Sequence, residues 1–240
     1  MTACFRSMRF FASFLFVALA LAGCTDSTES PQADGQGPNG GDTSSGEVLL
    51  KAPADPPVGT TWNHQISGPA SGASSSELVA KGSRNEHDAH RLSSTIEASG
   101  TTTHVDSWNR ILDGGVIEAT TETDAPYIGS VETHTTFDPP CARLEYPVRA
   151  GADYGVTCSG TTRTNFGNGE QAFEQTTQVA VQGLASITVP AGTFDTVHVT
   201  FTVDDSQVDE YFLLDGCGSA LSIASVNGDE VRTELTSTTC

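Results

Sequence analysis

Basic side chains are scarce in this chain. Lys and Arg number 11 against 30 Asp and Glu in 240 residues, and Arg6 and Arg9 fall close to the start. From residue 24 onward nine basic side chains face 30 acidic ones, a formal charge of −21. So acidic a surface repels phosphate backbones, which excludes nucleic acid as a partner. Helical periodicity is missing too: no segment keeps a 3.6-residue apolar stripe over ten residues. After residue 23 no apolar run is long enough for a membrane-spanning helix. No Cys-x-x-Cys pair, Gly-x-Ser-x-Gly elbow, His-Glu-x-x-His pair or Walker loop occurs, and nothing in the motifs asks for a cofactor.

What the chain does have begins at its start. Arg6 and Arg9 precede a nearly unbroken apolar run, Phe10 to Ala22, which ends in Leu21-Ala22-Gly23-Cys24. Basic, then apolar, then small residues is the order of a secretory signal peptide, here residues 1–23. The last four residues resemble the lipobox of bacterial lipoproteins. That resemblance implies a diacylglycerol thioether on Cys24, which becomes the mature N-terminus. The expected location is the cell envelope: the outer membrane, or the outer face of the plasma membrane. Residues 24–57 are rich in Ser, Thr, Gly, Pro and Asp. Such a composition cannot offset its own ordering entropy and is expected to form a flexible tether.

From residue 58 to residue 240 the pattern changes to short Thr-, Val-, Ile- and aromatic-rich runs between Gly, Pro, Asp and Asn clusters, which is strand-and-turn spacing. In Val197-His198-Val199-Thr200-Phe201-Thr202-Val203 the valines and Phe201 fall on one face, and His198, Thr200 and Thr202 on the other. That alternation marks a sheet with one buried and one wet face. Asp113-Gly114-Gly115 and Asn227-Gly228 are expected hairpin turns. Further strands are expected over 61–67, 77–83, 91–98, 101–112, 130–137, 142–147, 153–163, 172–182 and 186–189. The expected fold is all-β: one curved antiparallel sheet, half-barrel or open barrel, mostly connected by hairpins.

Four cysteines remain once Cys4 and Cys24 are set aside, an even number in an exported chain. Opposed residues in an antiparallel hairpin have a constant index sum. A four-residue loop 227–230 opposes Val226 to Val231 and, by the same sum, Cys217 to Cys240. Cys141 and Cys158 similarly bracket a turn near Arg149 and Ala150. The expected disulfides are therefore Cys141–Cys158 and Cys217–Cys240, each stabilising by about 3 kcal/mol in the chain-entropy picture. An internal echo accompanies them. Pro57-Val58-Gly59 leads to Trp62 as Pro147-Val148 leads through Gly151 to Tyr154, which suggests two halves of about 90 residues sharing one core.

Ile187-Thr188-Val189-Pro190-Ala191-Gly192-Thr193-Phe194, followed by Asp209-Glu210-Tyr211-Phe212-Leu213-Leu214-Asp215-Gly216-Cys217-Gly218, resembles a group of bacterial envelope proteins and lipoproteins of unknown function. The resemblance implies a curved antiparallel sheet related to half-barrels, some of whose relatives carry lipids or lipoproteins. Pro190 suits a turn, Gly192 relaxes its exit, and Phe194 is expected to return to the core. Cys217 stands between two glycines where the pattern has no cysteine, as a disulfide would require.

Few side chains suggest chemistry. His87 and His90 are the best metal candidates, yet on a strand they face opposite ways, and no third ligand is apparent. His104, His134 and His198 are expected on exposed strand faces. Asp204-Asp205 and Asp209-Glu210 pair carboxylates among many other acids. Trp62, Trp108, Tyr154 and Tyr211 are expected as core or core-edge anchors. The leading expectation is a non-catalytic, lipid-anchored domain that binds a small apolar ligand or an envelope component, in a pocket lined from the Val197–Val203 face. A surface-interaction lipoprotein with no pocket, and an envelope hydrolase, are the alternatives.

Overall fold

A computed structural model describes residues 46–125, 129–165, 169–204, 206–226 and 229–240. Fourteen strands form among them: β1 (Val48–Leu50), β2 (Thr61–Ser67), β3 (Gly72–Arg84), β4 (His87–Ala98), β5 (Thr101–Arg110), β6 (Val116–Ala125), β7 (Gly129–Cys141), β8 (Val148–Arg149), β9 (Asp153–Thr164), β10 (Glu170–Val189), β11 (Gly192–Val203), β12 (Ser206–Leu213), β13 (Ser219–Val226) and β14 (Asp229–Thr238). Twelve of them close into an antiparallel barrel, in the order β10-β11-β12-β13-β14-β2-β3-β4-β5-β6-β7-β9. β1 and β8 form a separate two-stranded sheet.

The barrel is closed, not the open sheet or half-barrel that the sequence suggests. Closure comes from β14 pairing with β2, with Arg232 opposite Ser67 and Thr238 opposite Trp62. That contact joins the last strand to the first of the barrel, and it leaves no unpaired edge. Two runs of six consecutive strands, β2–β7 and β9–β14, make up the wall. The echo in the sequence falls at the entry to each run, where Gly59 and Gly151 both adopt a left-handed φ, +91° and +71°.

Several boundaries move. Residues 142–147, expected as a strand, form bends, and only Val148–Arg149 pair, with β1. The expected strands 172–182 and 186–189 merge into β10, which a bulge between Val181 and Gly183 redirects. β13 and β14 pair Val226 with Asp229, so the link is two residues shorter than the expected four; Asn227 and Gly228 lie outside the described residues.

Both expected disulfides are present, with Cα separations of 5.3 Å for Cys141–Cys158 and 6.2 Å for Cys217–Cys240. The register argument for them needs correction. Cys217 and Cys240 lie past the ends of the β13–β14 ladder, where the chain is free to bring them together. Cys141 and Cys158 bracket a long loop that dips into the barrel rather than a tight turn.

The two ends of the barrel differ. One end, here called the mouth, carries the β3–β4, β5–β6, β10–β11 and β12–β13 turns, the 142–152 loop and the segment before β2. The opposite end carries the remaining hairpin links. Val197, Val199 and Phe201 point inward and are buried, while His198, Thr200 and Thr202 do not, as the alternation requires. Hydroxyls also line part of the interior: Thr135 and Thr162 are both buried and share a 3.0 Å hydrogen bond across β7 and β9.

Candidate functional site: a cavity under an N-terminal strap

β1 and the residues up to Pro57 fall inside the stretch that composition marks as tether. Residues 24–45 of that stretch, with Cys24 and the signal segment, lie outside the described residues. Residues 46–57 form a strap across the mouth. Leu49 and Leu50 are apolar in a polar context, and the prolines at 53, 56 and 57 keep the following backbone extended and non-helical. Leu50 is 3% exposed and packs with Val179, Val181, Val197 and Val199. Farther along, Ala54 N donates to Gly216 O at 3.1 Å. Gly216 has φ +78°, and a Cβ there would sit 2.9 Å from Ala54 N and 3.0 Å from Ala52 O, so glycine is needed for the strap to seat.

Leu144 and Val148, from the 142–152 loop, join Leu50 against the β10–β11 wall. These three side chains fill the space in front of the Val197–Val203 face. Neither cavity described below takes a wall from β10 or β11. The void that remains lies on the other side of the barrel interior, with a volume of about 450 Å³. Its walls include Trp62, Leu78, Leu92, Val105, Ala119 and Phe137; Pro53, Ala54 and Pro56 of the strap lie over it. Ile111 and Gly114 bring it to the rim at the β5–β6 turn. The size is that of a small-molecule site.

Each charged group in the cavity wall already has a partner. Arg143 donates from Nη2 to Glu210 Oε1 at 2.5 Å, and its guanidinium lies 4.5 Å from the Phe201 ring centre. Glu210 is 6% exposed while Arg143 keeps partial contact with solvent, so separating the pair would strand a buried carboxylate, which is costly. Arg110 pairs with Asp113, whose Oδ1 also accepts Gly115 N at 3.0 Å. Burial pushes the Asp113 carboxyl up, but Arg110 and Gly115 outweigh it and hold it below its usual value. His90 Nε2 lies 2.6 Å from Asp55 Oδ1, which Lys81 also contacts; Lys81 and then His90 hold the Asp55 carboxyl below its usual value.

Neutral polar groups also face the void: Ser76, Ser94, Ser107, Asn109 and Ser219, with His64 and Tyr146. Burial pushes the His64 imidazole down, which keeps it neutral, with Nε2 3.3 Å from Ser219 O. Burial likewise pushes the Tyr146 phenol up to about 12, so it stays protonated. The result is an apolar chamber with a few neutral hydrogen-bonding groups and no net charge to offer. A second hollow, of about 480 Å³, is lined largely by polar residues such as Asn63, Gln65, Ser75 and Glu97, and lacks such apolar walls.

The structure separates the other candidates. His87 opens β4 while His90 turns to Asp55, and among the described residues no group of three or more His, Cys, Asp or Glu could hold a metal. His104 contacts Thr95 and His134 contacts Thr120, each at 3.1 Å. His198 stacks on Tyr211 with ring centres 4.5 Å apart and meets Asp209 at 2.9 Å. Asp209 and Glu210 do not act together: Asp209 accepts from Thr200, His198 and Gln207, while Glu210 points inward to Arg143. Asp205 lies outside the described residues. Trp62 is an anchor as expected, and its Nε1 donates to Cys217 O at 2.7 Å. Sequence reasoning missed the strap, His64 and the Arg143–Glu210 pair; only the apolar Leu49-Leu50 and the proline run hinted at the first.

No protein-family model matches the chain, and a search of curated proteins returns no match. Among solved structures, a candidate lipoprotein from Parabacteroides distasonis aligns with 80% of this chain and 98% of its own, at 10% identity and a TM-score of 0.32. A likeness of that degree carries no argument about fold or function.

Proposed function

We propose that this protein is a non-catalytic envelope lipoprotein, anchored through Cys24, whose barrel shelters a small, uncharged, mainly apolar molecule. The observation that carries the ligand is the 450 Å³ chamber beneath the strap. Its walls are mostly apolar, and its arginines are already neutralised by Asp113 and Glu210. A charged ligand would find no free counter-charge there and would lose its hydration. A neutral one gains apolar burial and can use the Tyr146 hydroxyl or the neutral His64 for orientation. The anchor rests on the Leu-Ala-Gly-Cys sequence and on the even cysteine count, now paired in two bridges that suit an oxidising compartment.

The test is uptake of an uncharged naphthylamine dye by the purified protein, compared with Leu92→Trp. The larger ring would occupy the chamber. Binding is expected in the natural protein and at least several-fold weaker in the variant, with the same unfolding midpoint. No uptake by the natural protein, or equal uptake by both, would refute the ligand reading. Intact mass of material from its native membrane tests the anchor: loss of residues 1–23 and addition of a diacylglycerol are expected.

A further inference from the structure

We infer that the barrel docks on a lipid bilayer surface mouth-first, with the rim loops entering the headgroup region around the cavity. The inference rests on the envelope reading above but concerns a different surface from the chamber itself. Five large apolar side chains stand exposed among the described residues: Val48, Val58, Leu112, Leu184 and Leu214. All five lie in the mouth half of their strands or in mouth loops. Leu112 is 75% exposed at the tip of the β5–β6 turn, Val58 54% in the turn before β2, and Leu214 42% in the β12–β13 turn. Following the strand order around the barrel, these positions are spread around the rim rather than clustered on one side. Scattered apolar residues on a soluble surface need no explanation. Confinement to one end does.

The chain itself points that end toward a membrane. The described segment starts at Gly46, whose backbone lies against Ala150 of the mouth loop. Only 21 residues separate Cys24 from Gly46, and a random coil of that length would have a root-mean-square reach of about 25 Å. An acyl anchor on Cys24 therefore holds the mouth near the bilayer and the opposite end away from it. Charge acts in the same sense. Of the nine Lys and Arg beyond residue 23, all but Arg163 and Arg232 lie in the mouth half. There they neutralise Asp55, Glu118, Asp106, Asp113 and Glu210. Exposed Glu97, Asp124, Glu170, Asp204 and Asp229 flank the links at the far end. Glu47, Glu86, Asp88, Glu145, Asp153 and Asp215 are exposed at the mouth as well, so an anionic lipid surface repels both ends, but only the mouth carries enough Lys and Arg to offset part of its charge. An apolar ligand could then pass between the bilayer and the chamber without crossing bulk water.

The experiment uses the acylated chain from its native membrane, reconstituted into vesicles of phosphatidylethanolamine and phosphatidylglycerol. A nitroxide is attached after Leu112→Cys and, separately, after Glu170→Cys at the far end. Collision with oxygen relative to a water-soluble nickel complex is expected to be several-fold higher at residue 112 than at residue 170. With Val58→Ser and Leu214→Ser added, the label at 112 is expected to return toward the aqueous value without a change in melting temperature, because both side chains are exposed. Equal, aqueous ratios at the two sites would overturn the inference, as they would if the rim instead met a protein partner. Dye uptake on the same samples separates the two proposals: uptake with an aqueous residue 112 sinks the docking alone, and an immersed residue 112 without uptake sinks the ligand alone.

Discussion

The indole Nε1 of Trp62 donates to the carbonyl of Cys217 at 2.7 Å, joining positions 155 residues apart. Trp62 is the second residue of the first barrel strand, and Cys217 is held by its disulfide to Cys240 just after the last one. The seam at which the barrel closes is thus crossed at the mouth by a hydrogen bond, and the disulfide ties the accepting turn to the end of β14. The strap leans on the same turn through Ala54 and Gly216.

Removing that bridge is expected to weaken the seam first. Cys217 and Cys240 are 23 residues apart, and the loop-entropy contribution of such a bridge is about 3 kcal/mol. Cys217→Ser/Cys240→Ser should lose that much in urea denaturation. Trp62→Phe, which keeps an aromatic ring but drops the donor and part of the packing volume, should lose at least about 1 kcal/mol. A loss under 1 kcal/mol in the double variant would mean that the bridge does not secure the closure.

Leu50 tests whether the strap belongs to the folded unit. It is buried among valines of β10 and β11, far along the chain. Leu50→Ala should cost about 2–5 kcal/mol and make residues 46–57 more susceptible to limited proteolysis. A near-neutral effect would show that the strap is an appendage.

His64 sets a pH dependence whose sign follows from its burial. Its folded pKa is pushed below 6.5 by desolvation. The unfolded chain therefore takes up the proton first as pH falls. The stabilising contribution is complete above 6.5 and is lost as pH drops toward the lowered folded value. Asp113 and Asp209 are also depressed, from 3.8, so their contributions are lost only at lower pH. Between about pH 7 and pH 5, unfolding free energy should fall more steeply in the natural protein than in His64→Gln. Parallel curves would refute the assignment.

Some of this was legible along the chain. Val197 to Val203 declared a buried and a wet face, and the structure agrees. Pro190 and Ala191 turn the chain as expected, and Phe194 packs, half-buried, near Leu213 and Leu235. The cysteine pairs came out as expected, although the register behind them did not. Index sums describe a ladder, and these cysteines lie beyond its ends. Closure was not legible, because the pairing of β14 with β2 leaves no local signal in either strand. The strap was hidden for a different reason. Its composition is that of a tether, and only the space between the barrel walls decides whether Leu50 is buried.

The sequence by itself determined most of the barrel strands and the turn at Pro190 and supplied the four cysteines that pair, since alternation, turn residues and cysteine act over short range or through covalent bonds. Tertiary structure alone decided that the sheet closes, that Leu50, Leu144 and Val148 fill one side of the interior, and that a void remains on the other. Those outcomes depend on volumes summed from residues far apart in the chain, and close packing resolves such sums only in three dimensions.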